Sequence, residues 1–111
     1  MRDTSIILVN YNGKKFIKDC LDSLMASDAS QEEIILVDNG STDGSCEEVR
    51  QNFSSVRVIR LEKNYGFSVA NNRGARESKN EYLVFLNNDT VVPEKWLSPL
   101  LTNMKENPQV G

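Results

Sequence analysis

The 111-residue chain has no histidine, which excludes histidine-based triads and histidine-ligated zinc. Cysteine is nearly as scarce. Cys20 and Cys46 are too few and too far apart for a metal site. Both fall in helical patterns, so they read as buried free thiols rather than a disulfide. No apolar run approaches the roughly 20 residues of a membrane span, and the polar start "MRDTS" does not resemble a signal peptide. A cytoplasmic location is expected, at the cytoplasmic face of the membrane in the full-length protein. GxGxxG and GxxxxGK[ST] are both missing, which removes the main support for a dinucleotide or P-loop site. A net charge of −3 gives no electrostatic reason to expect nucleic acid. Any acid–base or metal chemistry therefore falls to carboxylates.

What is present is order. Four short apolar runs recur: "SIILV" (5–9), "EIILV" (33–37), "VRVIRL" (56–61) and "YLVFL" (82–86). The first, second and fourth are continuous, as expected of strands covered on both faces. The third carries interleaved arginines and reads as an edge strand. Helical stripes lie between them: Phe16, Ile17, Cys20, Leu21, Leu24 and Met25, then Cys46, Val49 and Phe53 after the cap candidates "STD" (41–43). In "VANNRGARESK", Ala70 and Gly74 are four apart and small enough for a helix to lie close on a sheet. Ser98-Pro99 reads as an N-cap with proline at the first helical position, and Leu100, Leu101 and Met104 as the buried side of a last helix. With no repeat and no low-complexity linker, residues 1–111 form one α/β domain of alternating strands and helices. That order predicts a Rossmann-like, mainly parallel sheet with helices on both faces.

The segment after each strand is polar: "NYNG" (10–13), "DNGSTDGS" (38–45), "EKNYGFS" (62–68) and "NNDT" (87–90). A parallel sheet gathers all four at its carboxyl edge, where open α/β sheets bind ligands. Such residues favour turns in their own right. Yet the opposite connections, "ASDASQE" and "ESKNE", lack aromatics, whereas Tyr11, Tyr65 and Phe67 sit in the carboxyl-edge set and suit stacking or pocket walls. No lysine–arginine cluster is there to hold phosphates, so a diphosphate would need a divalent cation on carboxylate oxygen. Asp89 is the candidate ligand, with Asn87 or Asn88 orienting water or ribose hydroxyls, and Asp38 suits a base or ribose. A receiver-like signalling domain is disfavoured, because "NYNG" supplies no acid after the first strand.

"ILVNYNG", "CLDSL", "ILVDNGSTDGS", "KNYGFSVANNRG" and "YLVFLNNDTVVPEKWL" together resemble the N-terminal half of the inverting family-2 glycosyltransferases of GT-A fold. The likeness covers essentially the whole chain, and "GFSVANN" with "LNNDT" is most similar to the rhamnosyltransferase-type branch of bacterial surface-polysaccharide synthesis. The resemblance implies strand order 3-2-1-4 and a nucleotide-diphosphate-sugar donor. It places "NND" at the family's Asp-X-Asp metal motif, with Asn87 in place of the first carboxylate and Asp89 holding Mg²⁺ or Mn²⁺ weakly and only with donor. It further implies that Asn10, Tyr11 and Asn12 line the base pocket, with Tyr11 stacking, and that Asp38 bonds the base or ribose. Asn64 and Gly66 would border the nucleotide, Asn71 would contact the base, Asn88 the ribose, and Asn72 would bond loop backbone.

The family's acceptor base follows the metal motif, and Asp43 and Glu94 are poor substitutes for it. The chain is therefore expected to be the N-terminal donor-binding part of a longer enzyme, with the next strand beginning near "NPQVG". A saccharide or lipid-linked acceptor would be served by the full protein. An open fourth strand, with apolar surface around Val91, Val92 and Trp96, would make residues 1–111 self-associate as a homodimer. A stand-alone nucleotide-binding module without transfer activity is the alternative.

Overall fold

The computed structural model describes residues 4–106, with side chains as far as Asn103. Its elements alternate: β1 (Thr4–Asn10), α1 (Ile17–Met25), β2 (Glu33–Asp38), α2 (Ser45–Asn52), β3 (Arg57–Arg60), α3 (Phe67–Glu77), β4 (Tyr82–Asn87) and α4 (Leu97–Glu106). The strands are parallel in the order β3-β2-β1-β4, as expected. β1 and β2 are the apolar centre, and their Ile and Leu side chains are almost wholly removed from water on both faces.

Alternation along each strand divides the core in two. Ile6, Leu8, Ile34 and Leu36 face α1, α2 and the start of α4, where they meet Ile17, Leu21, Leu24, Val49 and Leu97. Ile7, Ile35 and Val37 face α3 and meet Ala70. Gly74 brings that helix down onto the sheet, since a Cβ there would lie 2.6 Å from Ile7 Cγ2 and 3.1 Å from Val37 Cγ2. Both cysteines are free and buried, as their helical positions suggested.

Four expectations give way. Phe16 is half-exposed rather than part of the α1 stripe, because the chain enters the helix through a turn on the Gly13 carbonyl and the helix opens at Ile17. β4 is not covered on both faces: Val84 and Leu86 pack toward α1, but Phe85 is 50% exposed on the α3 side. α3 lies over β1 and β2 and leaves that flank of β4 open. The apolar surface is also elsewhere than expected. Val92 is buried and Trp96 is packed into the core with its Nε1 donating to Ser27 Oγ at 3.1 Å, so of that group only Val91 is exposed.

The fourth correction concerns α4, which opens at Leu97 and is not capped by Ser98. Asp28, in the α1–β2 loop, accepts hydrogen bonds from the Leu97 and Ser98 backbone N–H groups at 3.0 and 2.8 Å. Pro99 then sits within the first turn, where its missing N–H costs nothing. Of the side expected to be buried, Leu101 packs against the core but Leu100 is exposed. The side chain of Met104 and the segment "NPQVG" lie outside the described residues.

Partial burial pushes the Asp28 carboxyl up, but the donors at Ser98 and Leu97 outweigh it and hold the group below its usual value. A lowered folded-state value means stability present near neutral pH and lost as pH falls through it. Asp28→Ala should therefore lower urea stability by about 1 kcal/mol at pH 7. The gap to the unaltered protein should close in acid, below about pH 4; a gap that persists there would assign the loss to packing instead.

Candidate functional site

At the carboxyl edge the residues divide by face. Val9, Tyr11, Asn39, Asn64, Phe67, Asn87, Asn88 and Asp89 line an open cleft of about 330 Å³. It lies where the chain leaves β1 for β2 on one side and β4 lies on the other, the point at which strand order reverses. Tyr11 and Phe67 are half-exposed walls of this cleft, and the Asp89 carboxylate stands exposed on its rim.

Beneath the cleft, toward α2, lies a buried polar cluster. Asn10 and Asp38 end adjacent strands as register partners, on the same face as Leu8 and Leu36, so their side chains meet under the loops. Asn10 Nδ2 donates to Asp38 Oδ1 at 2.9 Å and to Ser45 Oγ at 2.8 Å. Asp38 also accepts from Ser41 Oγ at 2.8 Å and Ser41 N at 2.9 Å. Asn88 Nδ2 donates to Asn10 Oδ1 at 3.0 Å, which joins the cluster to the cleft.

Of the residues named from sequence, the structure brings Tyr11, Asn64, Asn88 and Asp89 together on the cleft. Asn10 and Asp38 are fully buried below it, with polar atoms bonded inside the protein. Asn12 lies to one side in a left-handed conformation (φ 50°), where its Oδ1 accepts from Thr42 N at 2.8 Å and ties two loops together. Asn71 is half-buried on α3 and is not part of the cleft lining. Gly66 opens α3 at φ 94° with nothing near a would-be Cβ, so its conformation rather than close packing asks for glycine.

The loop-bonding role expected of Asn72 belongs to Asn39. Asn72 is exposed on α3, whereas Asn39 Oδ1 accepts from Tyr65 N at 3.0 Å and its Nδ2 donates to the Gly66 carbonyl at 3.1 Å. Strand parity was the signal. Asn39 follows Asp38 and so turns to the cleft side, where Asp38 does not.

Tyr65 faces away from the cleft. Its hydroxyl donates to Glu62 at 2.6 Å, and the Lys63 ammonium lies 5.2 Å from its ring centre. Asp43 caps the start of α2, accepting from Ser45 N at 3.0 Å and Lys14 N at 3.0 Å. Among the described residues no three acidic, cysteine or histidine side chains converge on a common point. Asp89 with the neighbouring amide oxygens is a donor set of the kind hard cations accept when phosphate oxygens complete their shell.

A parallel sheet with a polar cleft at its reversal point and one carboxylate on the rim defines an α/β protein of the open, Rossmann-like class, whose ligands bind at that edge. Residues 5–111 match Glycosyl transferase family 2, and the chain belongs to that family. It is 31% identical over 105 residues to the glycosyltransferase GlyG of Streptococcus pneumoniae serotype 4, covering 92% of this chain and 35% of that one. To the poly-β-1,6-N-acetyl-D-glucosamine synthase of Staphylococcus epidermidis it is 30% identical over 110 residues, covering 96% and 26%.

Among solved structures, TarS (1–349) of S. aureus in complex with UDP-GlcNAc superposes with a TM-score of 0.84 at 26% identity, over 97% of this chain and 32% of that one. Mannosyltransferase PcManGT of Pyrobaculum calidifontis, in complex with GDP-Man and Mn²⁺, superposes at 0.76 and 25% identity, over 84% and 29%. The fold is the Rossmann-like GT-A fold. The chain spans a quarter to a third of the length of these relatives.

Proposed function

We propose that this chain is the donor-binding part of an inverting glycosyltransferase. It holds a nucleotide-diphosphate sugar in the carboxyl-edge cleft for transfer to an acceptor hydroxyl. The observation that carries the reading is the placement of Tyr11, Asn64, Asn88 and Asp89 around one cleft at the reversal point of a GT-A sheet. In this reading Tyr11 stacks on the base, Asn64 borders the nucleoside, and Asp89 holds Mg²⁺ or Mn²⁺ against the diphosphate. The bound cation would neutralise charge on the leaving diphosphate. The same proposal places the full protein in the cytoplasm, at the membrane face, with a saccharide or lipid-linked acceptor.

Calorimetry with UDP, GDP and dTDP, in Mn²⁺ and in EDTA, tests the reading. One nucleotide should bind, and more tightly with the cation. UDP-GlcNAc and GDP-Man, the donors bound in the two structural neighbours, are the first nucleotide sugars to add. Absence of binding by all three nucleotides in both conditions would overturn the proposal.

Asp43 is committed to capping α2, and Glu94 lies in the segment leading to α4, tied to the Asp28 N–H through its carbonyl. Neither is placed as an acceptor base at the cleft, so residues 1–111 alone should bind donor and transfer no sugar. The open edge of β4, with Phe85 exposed beside it, should also make them self-associate as a homodimer. Light scattering at rising concentration reads this, and a strict monomer would show the edge to be protected.

A further inference from the structure

An asparagine amide has a donor end and an acceptor end, and a buried chain of them transmits polarity. We propose that Asp38 is a positioning residue: through Asn10 it fixes the direction in which Asn88 presents its amide to the cleft. The inference rests on the donor-binding reading for its ligand, but not for its geometry.

An ionised carboxylate can only accept hydrogen bonds. Asp38 Oδ1 faces Asn10, so the end of Asn10 turned toward it is the NH₂ group, at 2.9 Å. The second neighbour of that NH₂ agrees. Ser45 Oγ donates its own proton to Asp43 Oδ1 at 2.6 Å and so meets Asn10 as an acceptor at 2.8 Å. Two carboxylates, one direct and one through a hydroxyl, thus fix the amide of Asn10. Its Oδ1 is left to face Asn88, and Asn88 answers with Nδ2 at 3.0 Å.

The Oδ1 of Asn88 is then the end available to the cleft, beside the Asp89 carboxylate. The rim offers two oxygen acceptors side by side. Such a pair suits a group that donates hydrogen bonds: a ribose hydroxyl or a water on the bound cation. An amide turned the other way would offer N–H to the same place and favour phosphate oxygen instead.

The relay predicts an unusual pattern of substitutions. In Asp38→Asn the new amide must keep its oxygen on Ser41 N, which places its NH₂ against Asn10. Asn10 then reverses to accept from it. Ser45 Oγ gives up Asp43, which keeps its bond from Ser45 N, and donates to Asn10 instead, and Asn88 reverses in turn, presenting NH₂ to the cleft. Affinity for UDP, or whichever of the three diphosphates binds, should fall about tenfold, the worth of one good hydrogen bond lost. Adding Asn88→Asp should restore it to within about threefold, because a carboxylate accepts from the reversed Asn10 and offers oxygen to the cleft as well. Asn88→Asp alone should weaken binding, since its oxygen meets Asn10 Oδ1.

A merely structural role for Asp38 would not be repaired by a second change at position 88. Failure of Asn88→Asp to rescue Asp38→Asn, with both proteins folded, would overturn the proposal. Measuring in EDTA as well as Mn²⁺ assigns the donor group: a loss in both points to ribose, and a loss in Mn²⁺ only to cation-bound water. A readout without ligand separates this inference from the donor-binding reading. The Asn88 side-chain NH₂, followed by ¹⁵N spectroscopy, should exchange slowly with water in the unaltered protein and fast in Asp38→Asn. That change in a protein binding no nucleotide would leave the relay standing and the donor-binding reading overturned; equal exchange in the two proteins would sink the relay itself.

Discussion

Gly40→Ala should destabilise the protein by about 2–5 kcal/mol, a large share of the stability of a domain this size. Two costs add. Gly40 has φ +80°, a left-handed conformation that costs a residue with Cβ about 1–2 kcal/mol. The added Cβ would also lie 2.7 Å from Lys63 Cα and 2.8 Å from its carbonyl carbon. Backbone cannot step aside as the end of a side chain can, and overpacking of this kind costs about 1–3 kcal/mol. Gly66→Ala is the control. Gly66 has φ +94° but open space around a Cβ, so only the conformational cost applies there. Urea unfolding of both should show Gly40→Ala as the more damaging change. Equal losses would mean that the loop after β2 and the loop after β3 move apart freely, and that the Asn39 bonds to Tyr65 and Gly66 do not hold them.

Asp89→Ala should leave the fold intact and remove the whole cation-dependent part of nucleotide binding. The carboxylate is exposed and has no ion pair among the described residues, so its loss exposes no unsatisfied partner. In Mn²⁺ the affinity for a nucleoside diphosphate should fall at least about tenfold, since a charge-assisted contact is removed. In EDTA the two proteins should bind alike. A substituted protein that still gains affinity from Mn²⁺ would move the cation to other oxygens, and Asp89 would then be a rim residue only.

How much of this was legible beforehand depends on the range of the interaction. "SIILV", "EIILV" and "YLVFL" announce strands because continuous apolar runs have few other uses in a chain of this length. The closeness of α3 was equally readable, since Ala70 and Gly74 leave a flat face. Strand order came from the resemblance rather than from the runs. What the runs do not encode is which strand receives a cover, so β4 looked as buried as β1 although Phe85 is half-exposed.

The cap of α4 was hidden for another reason. Asp28 lies 69 and 70 positions before the N–H groups it binds, while Ser98-Pro99 offered a local pattern that looked sufficient. At the site, residue type pointed to the correct edge, but period-two alternation decides which side chains reach it. Asp38 and Asn39 are neighbours in "VDNG", yet one lies under the floor and the other on the wall.

The two thiols carry a practical consequence. Burial, with the Asp89 charge adding to it, pushes Cys20 up to about 11, and burial likewise raises Cys46. Neither is appreciably a thiolate at neutral pH, and neither is open to a reagent in the folded state. Maleimide dyes should therefore pass over the native protein and mark only a cysteine introduced on its surface. Phe85→Cys would place a single fluorophore at the open edge of β4, and Thr42→Cys one on the exposed loop beside Asn12. The chain is thus ready for distance measurements by energy transfer without first being stripped of its own sulfur.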